Sequence, residues 1–163
     1  MNIYYFNITV LRNRNVFGEV VKTLDDARAE KISRLRVTAD KLRSAGAGIL
    51  INFIKEKYNI AGDVKVDKFG KPYFEDTDIH FNISHSGCYV IAAVSDEDIG
   101  IDIQKIKSDK HRIAEKNFLP SECAYINEIE DEKINQQRFC EIWTIKEADR
   151  KSTRLNSSHV AIS

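Results

Sequence analysis

The stretch from His80 to Gln104, HFNISHSGCYVIAAVSDEDIGIDIQ, constrains this chain more than any other. It reads as two β-strands joined by a polar turn, with reactive side chains at both ends. His80, Asn82, Ser84, His85 and Ser86 crowd its start and are closed by Gly87. Asp102 sits at its end in the apolar frame Ile99-Gly100-Ile101-Asp102-Ile103-Gln104. Between them, Tyr89 to Val94 is apolar enough to be fully buried, and Asp96-Glu97-Asp98 is expected to form the connecting turn. Period-two alternation puts Gly100, Asp102 and Gln104 on one face and the three isoleucines on the other. A carboxylate placed there is costly unless it is paired or binds a cation.

The flanking pattern is mixed α and β. Ile3 to Val10 is rich in β-branched and aromatic residues and predicts a strand. Thr23 or Asp25 then caps a helix expected over 26–57, with Leu35, Leu42, Ile49, Leu50, Phe53 and Ile54 at helical spacing. Gly46 and Gly48 weaken its middle, each by about 1 kcal/mol relative to alanine, so close approach of another backbone or of a ligand is expected there. The helix carries Arg28, Lys31, Arg34, Arg36, Lys41 and Arg43. A solvated face and an anion-binding edge both fit that run. Val64 to Asp67 reads as a short strand, and Phe69 to Phe74 as a turn with Lys71 at its tip, where Pro72 favours an extended Lys71. Helical character returns at Ile113. Pro120 marks a helix start with Leu119 as a poor cap and Glu122 in the first turn, where the helix dipole favours an anion. After the acidic loop Glu128 to Lys133, a last helix runs from Arg138 to Ala148, with Phe139, Ile142, Trp143 and Ile145 on its apolar side. From Asp149 the sequence has neither period.

Composition excludes several classes. Lysine plus arginine and aspartate plus glutamate number 25 each, so no global basic field points to nucleic acid. No run approaches the roughly 18 apolar residues of a membrane helix, and MNIYYFNITV lacks the basic leader of a signal peptide. Three cysteines without a CxxC pair fit a reducing cytoplasm better than a disulfide framework or a zinc site.

The His/Ser cluster does not make a hydrolase. Ser84 and His85 are neighbours on a strand and point to opposite faces, and no G-x-S-x-G elbow is present. Dinucleotide and P-loop fingerprints are missing too. What remains is the acids Asp102, Glu122 and Glu147 with Lys71, His85, Lys146 and the basic early helix. A hard cation such as Mg²⁺ takes one or two carboxylates and completes its shell with water and phosphate oxygens. Metal-assisted phosphate chemistry and an α/β domain with scattered surface acids both remain open on these residues alone.

The order of motifs decides further. Gly70-Lys71-Pro72, His80 to Gly87, Gly100-Ile101-Asp102-Ile103, Phe118 to Glu122 and Trp143-Thr144-Ile145-Lys146-Glu147-Ala148 follow one another as in a known family. Over residues 1 to 148 the chain resembles a 4′-phosphopantetheinyl transferase of the surfactin-synthetase-activating (Sfp) type. The resemblance implies an α/β (α+β) fold of two pseudo-twofold-related halves, here 1–105 and the start of the second at 106–148. It implies an enzyme of the holo-[acyl-carrier-protein] synthase type. Such an enzyme moves phosphopantetheine from coenzyme A to a serine of an acyl or peptidyl carrier protein, with Mg²⁺. By the same resemblance Asp102, Gln104 and Glu147 are the metal-ligand positions. Lys31 and Arg43 with Ser44 meet the 3′-phosphate end of coenzyme A. Lys71, Pro72, Ser84 and His85 line the rest of that site. Glu122 is the base for the carrier serine, and Lys146 steadies the pyrophosphate. A non-catalytic fragment that binds coenzyme A or a nucleotide is the alternative.

Two departures from the family pattern stand out. Gln104 replaces an acid found in many relatives, so weaker metal binding is expected. The 149–163 segment does not continue the family's second half and resembles translated sequencing-adapter DNA. It is expected to be non-native, with the second half incomplete, and Lys151, though at a family lysine's position, is not carried over for that reason.

Overall fold

The computed structural model describes residues 1–68, 70–106 and 111–153. Phe69 of the expected turn and residues 154–163 of the expected non-native tail lie outside the described residues. A three-stranded antiparallel sheet forms the centre, in the order β1 (Asn2–Asn7), β5 (Tyr89–Ser95), β4 (His80–Ser86). A separate two-stranded ladder joins β2 (Val64–Val66) to β3 (Pro72–Phe74).

The helices are α1 (Arg14–Lys22), α2 (Asp26–Arg34), α3 (Thr38–Lys57), α4 (His111–Asn117), α5 (Pro120–Asn127) and α6 (Glu132–Ser152). The strand expected to Val10 stops at Asn7, whose side chain accepts the Thr9 N–H and starts a 3-10 turn over Ile8–Arg12. The expected 26–57 helix is two helices. Asp25 caps the first by accepting the Arg28 N–H at 2.8 Å, and the break falls at Leu35 to Val37, where the flanking residues are extended. The break lies away from the glycines because tertiary packing uses them inside α3. A Cβ on Gly46 would stand 2.7 Å from Ile8 and 3.1 Å from Val90, and one on Gly48 would stand 2.7 Å from Leu24. Side chains of the core, and neither a ligand nor another backbone, claim that space.

The sheet has two different faces. Register pairs Phe6 with Val90, Tyr4 with Ala92, and Val94 with Phe81. These side chains face α3 and form the main core with Leu11, Leu50 and Ile54. The alternate positions, Ile3, Tyr5, Tyr89, Ile91, Ala93, Asn82, Ser84 and Ser86, make the opposite face. Ile3 and Tyr5 are exposed there, at 57% and 73%. A second apolar cluster, Ala114, Phe118, Ile126, Phe139 and Cys140, joins α4, α5 and α6, with Phe139 stacked on Trp143 at 5.9 Å. Ile145, expected on the apolar side, is 70% exposed.

The hairpin differs from its expected form. Its turn lies at Gly87 and Cys88, where Gly87 takes φ +57°, and Asp96 to Asp98 instead lead out of β5. Ile99 to Gln104 is not a strand, because its backbone has no strand partner among the described residues. The last helix also departs from its expected ends, since α6 begins at Glu132 and continues through Ser152. Asp131 accepts the Lys133 and Ile134 N–H groups at its start, and contacts described below hold its far end. Cys88, Cys123 and Cys140 are free thiols. Among the described residues, no helix is long and apolar enough to cross a membrane.

Candidate active site

The segment 99–105 lies between β4 and the end of α6. On the β4 side, Ile101 donates its N–H to Asn82 Oδ1 at 3.1 Å, and Lys105 donates to Ser86 Oγ at 2.8 Å. On the α6 side, a Cβ on Gly100 would lie 1.9 Å from the Ala148 carbonyl oxygen. Only glycine admits the helix at that distance. Asp102, with its side chain 10% exposed, receives the Lys151 ammonium at 2.6 Å and the Ser84 hydroxyl at 2.7 Å, both on Oδ1. Lys151 also donates to the Ile101 carbonyl at 3.1 Å. The buried carboxylate is therefore paired, as its apolar frame requires.

Glu147 lies one helical turn before Lys151 and so shares its face of α6. It forms an ion pair with Arg150. Gln104 donates its amide to the Lys105 carbonyl at 3.3 Å, and this bond does not use its amide oxygen. Among the described residues, no three His, Cys, Asp or Glu side chains come together. The donor set is two carboxylates and one amide on facing segments, both carboxylates engaged by cations of the chain. Two carboxylates and an amide are oxygen donors of the kind Mg²⁺ takes, and they do not form a closed protein cage.

Lys146, next to Glu147, turns to α5 and meets Glu122 at 3.0 Å. Glu122 also accepts the Leu119 N–H at 2.7 Å, which supplies the cap that the Leu119 side chain lacks. This hydrogen bond, with help from Lys146, holds the Glu122 carboxyl below its usual pKa. It is ionised at neutral pH, with both donors on Oε2.

The anion-binding positions divide into two places. On β4, His85 points away from Ser84 and toward α3. Partial burial pushes its imidazole below the ordinary pKa, and the Arg43 and Lys151 charges push the same way. Arg43 is held by Asp40 at 2.9 Å and by the Gly87 carbonyl at 3.4 Å. The neighbouring Ser44 hydroxyl is buried and has no hydrogen-bond partner among the described residues. At the second place, Lys71 and Pro72 line a cavity of about 310 Å³ with Phe74, His80, Phe81 and Asp98. The Lys71 ammonium is buried there with no hydrogen bond among the described residues, 3.6 Å from Asp98, which His80 meets at 3.1 Å. Among the described residues neither the Lys71 ammonium nor the Ser44 hydroxyl has a hydrogen-bond partner, and Lys71 is ion-paired with Asp98. Lys31 stands exposed in the last turn of α2, and among the described residues it makes no hydrogen bond or ion pair with either place.

Sequence reasoning missed the hydrogen-bonding roles of Asn82 and Ser86 and the pairing of His80 with Asp98. Polar residues at every second position of β4 were the available signal, since a half-buried strand needs partners for them. Lys151, set aside on sequence, is the cation at Asp102.

Residues 98–160 match the model of the 4′-phosphopantetheinyl transferase superfamily. The chain is 32% identical over 141 residues to 4′-phosphopantetheinyl transferase gsp of Aneurinibacillus migulanus, covering 83% of this chain and 58% of that protein. It is 34% identical over 127 residues to 4′-phosphopantetheinyl transferase Sfp of Bacillus subtilis (strain 168), covering 74% and 56%. It is 30% identical over 168 residues to 4′-phosphopantetheinyl transferase psf-1 of Bacillus pumilus, covering 98% and 71%. The chain thus spans little more than half the length of the first two relatives.

Proposed function

The chain belongs to the 4′-phosphopantetheinyl transferase superfamily, and on that premise we propose that it derives from a Mg²⁺-dependent enzyme that moves 4′-phosphopantetheine from coenzyme A to a serine of an acyl or peptidyl carrier protein. The observation that carries the reading is that α6 joins two acidic positions. Its Lys146 reaches Glu122, and its next turn reaches Asp102.

In this reading Glu122, kept ionised by its hydrogen bonds, takes the proton of the carrier serine hydroxyl. The serine oxygen attacks the β-phosphorus of coenzyme A. The bond to the leaving oxygen breaks, and its electron pair departs with 3′,5′-adenosine bisphosphate. Asp102, Glu147 and the Gln104 amide oxygen would hold Mg²⁺, which would supply charge stabilisation to the phosphate oxygens. Lys146 adds a positive charge on the same side. Lys71, His85, Arg43 and Ser44 hold the phosphates and the adenosine end, and Lys31 extends the basic edge. The type is holo-[acyl-carrier-protein] synthase, working in the cytoplasm, where the free thiols stay reduced.

A second reading has its own support. Arg150 and Lys151 occupy both metal-ligand carboxylates, and the chain spans little more than half of two relatives. A fragment that binds coenzyme A without transferring from it fits those facts. We also propose that residues from about Asp149 onward are not native, which would make Arg150 and Lys151 cations of this chain and not of the native protein. Sequencing the gene across the Ala148 codon tests that point, and an uninterrupted gene ending at Ser163 overturns it.

Incubation with an apo carrier protein, coenzyme A and Mg²⁺, followed by weighing the carrier, decides between transfer and binding. A phosphopantetheine mass gain supports the enzyme. Coenzyme A binding without mass gain supports the fragment.

A further inference from the structure

Strand β4 carries polar side chains at every second position, Asn82, Ser84 and Ser86, on the face away from α3. Each accepts a backbone N–H from every second residue of the segment that crosses them. Ile101 donates to Asn82 at 3.1 Å, Ile103 to Ser84 at 3.4 Å, and Lys105 to Ser86 at 2.8 Å. Side chains thus replace the backbone ladder of a further strand. The middle rung is different from its neighbours, because Ser84 Oγ also donates to Asp102 Oδ1 at 2.7 Å.

A hydroxyl has one hydrogen to donate and two lone pairs to accept with. Ser84, 7% exposed, gives its hydrogen to Asp102 and accepts from Ile103 and from the Lys151 ammonium at 3.2 Å. No capacity remains for a coenzyme A phosphate while these bonds stand. Asp102 Oδ2, by contrast, makes no hydrogen bond among the described residues.

We propose that Ser84 is a positioning residue that fixes the Asp102 carboxylate, holding Oδ1 so that Oδ2 is presented to a divalent cation, and that it is not a contact of coenzyme A. The proposal rests on the reading of Asp102 as a metal ligand. Outer-shell partners of this kind are worth about 10–100-fold in metal affinity.

The test is Mn²⁺ binding, followed by electron paramagnetic resonance, to the whole chain and to three variants. Ser84→Ala is expected to weaken Mn²⁺ binding by about tenfold or more. Ser84→Thr, which keeps the hydroxyl and suits a strand, is expected to restore it. Ser86→Ala removes a neighbouring rung without touching Asp102. It is expected to lower the melting temperature about as much as Ser84→Ala while leaving Mn²⁺ affinity in place. Coenzyme A binding measured without metal is expected to survive Ser84→Ala. Equal Mn²⁺ affinity in Ser84→Ala, equal weakening in Ser86→Ala, or loss of metal-free coenzyme A binding in Ser84→Ala overturns the proposal alone. Failure of the unsubstituted chain to bind Mn²⁺ removes the metal reading and this proposal with it.

Discussion

The Lys151 ammonium lies 2.6 Å from Asp102 Oδ1 and so delivers a positive charge to the carboxylate expected to hold a metal ion. Asp102 is largely buried, and a charge in that position needs a counter-charge. In this chain the counter-charge comes from the last turns of α6. A divalent cation at Asp102 would compete with it.

Replacing Lys151 by methionine removes the internal cation. The variant is expected to lose about 1–3 kcal/mol of stability, the usual cost of leaving a charged hydrogen-bonding group unpaired. Adding Mg²⁺ then restores the charge. Thermal melting with and without Mg²⁺ is expected to show a larger stabilisation by the ion in Lys151→Met than in the unsubstituted chain. An equal response in both would show that the ammonium and the ion do not share Asp102.

Gly100 is the point where α6 touches the segment that carries Asp102. A Cβ there would lie 1.9 Å from the Ala148 carbonyl oxygen, and a backbone atom has no rotamer by which to give way. Gly100→Ala is expected to cost about 1–3 kcal/mol, the range for overpacking, as measured by urea unfolding. Unchanged stability would mean that α6 packs elsewhere.

Gln104→Glu adds a negative charge two residues from Asp102. It is expected to bind Mg²⁺ more tightly in calorimetric titration. Affinity in the unsubstituted chain equal to or above that of the variant argues against Gln104 as the weak ligand.

Glu122 carries both a structural and a chemical expectation. Its folded pKa is depressed, first by the Leu119 N–H and then by Lys146, so its stabilising contribution is present above the unfolded carboxylate pKa. That contribution is lost as pH falls through the folded value. Acid unfolding followed by circular dichroism is expected to depend less steeply on pH in Glu122→Gln. The same substitution is expected to slow transfer much more than it weakens coenzyme A binding, and the reverse pattern removes Glu122 as the base.

His85 titrates in the opposite sense to a stabilised cation. Burial and the Arg43 charge depress its folded pKa, so the folded state gives up protons and is most stable above the unfolded histidine pKa. Its stability contribution falls as pH drops through that value toward the folded one. A phosphate placed beside the ring favours the charged form. Coenzyme A binding near neutral pH is therefore expected to take up protons. Calorimetry in buffers of different ionisation enthalpy measures the uptake, and His85→Ala is expected to abolish it.

Local chemistry in the sequence determined much of this protein. The alternation at His80 to Ser86 made β4, Asp25 made a helix cap, and Pro120 with Glu122 started α5. Each of these is decided by neighbours within a few residues. The motif order also pointed to the family. The tertiary structure alone decided the break between α2 and α3, because Ile32 and Leu42 are buried on either side of it and no local breaker marks it. It also decided what Asp102 meets. Ile99 to Gln104 alternates like a strand, yet its N–H groups go to side chains on β4, and its glycine goes to α6. Those partners are about 19 and 48 residues away in the chain, at separations where periodicity carries no information. The sequence thus determined that a buried acid needed a partner, and the packing of α6 against Gly100 decided which partner it has.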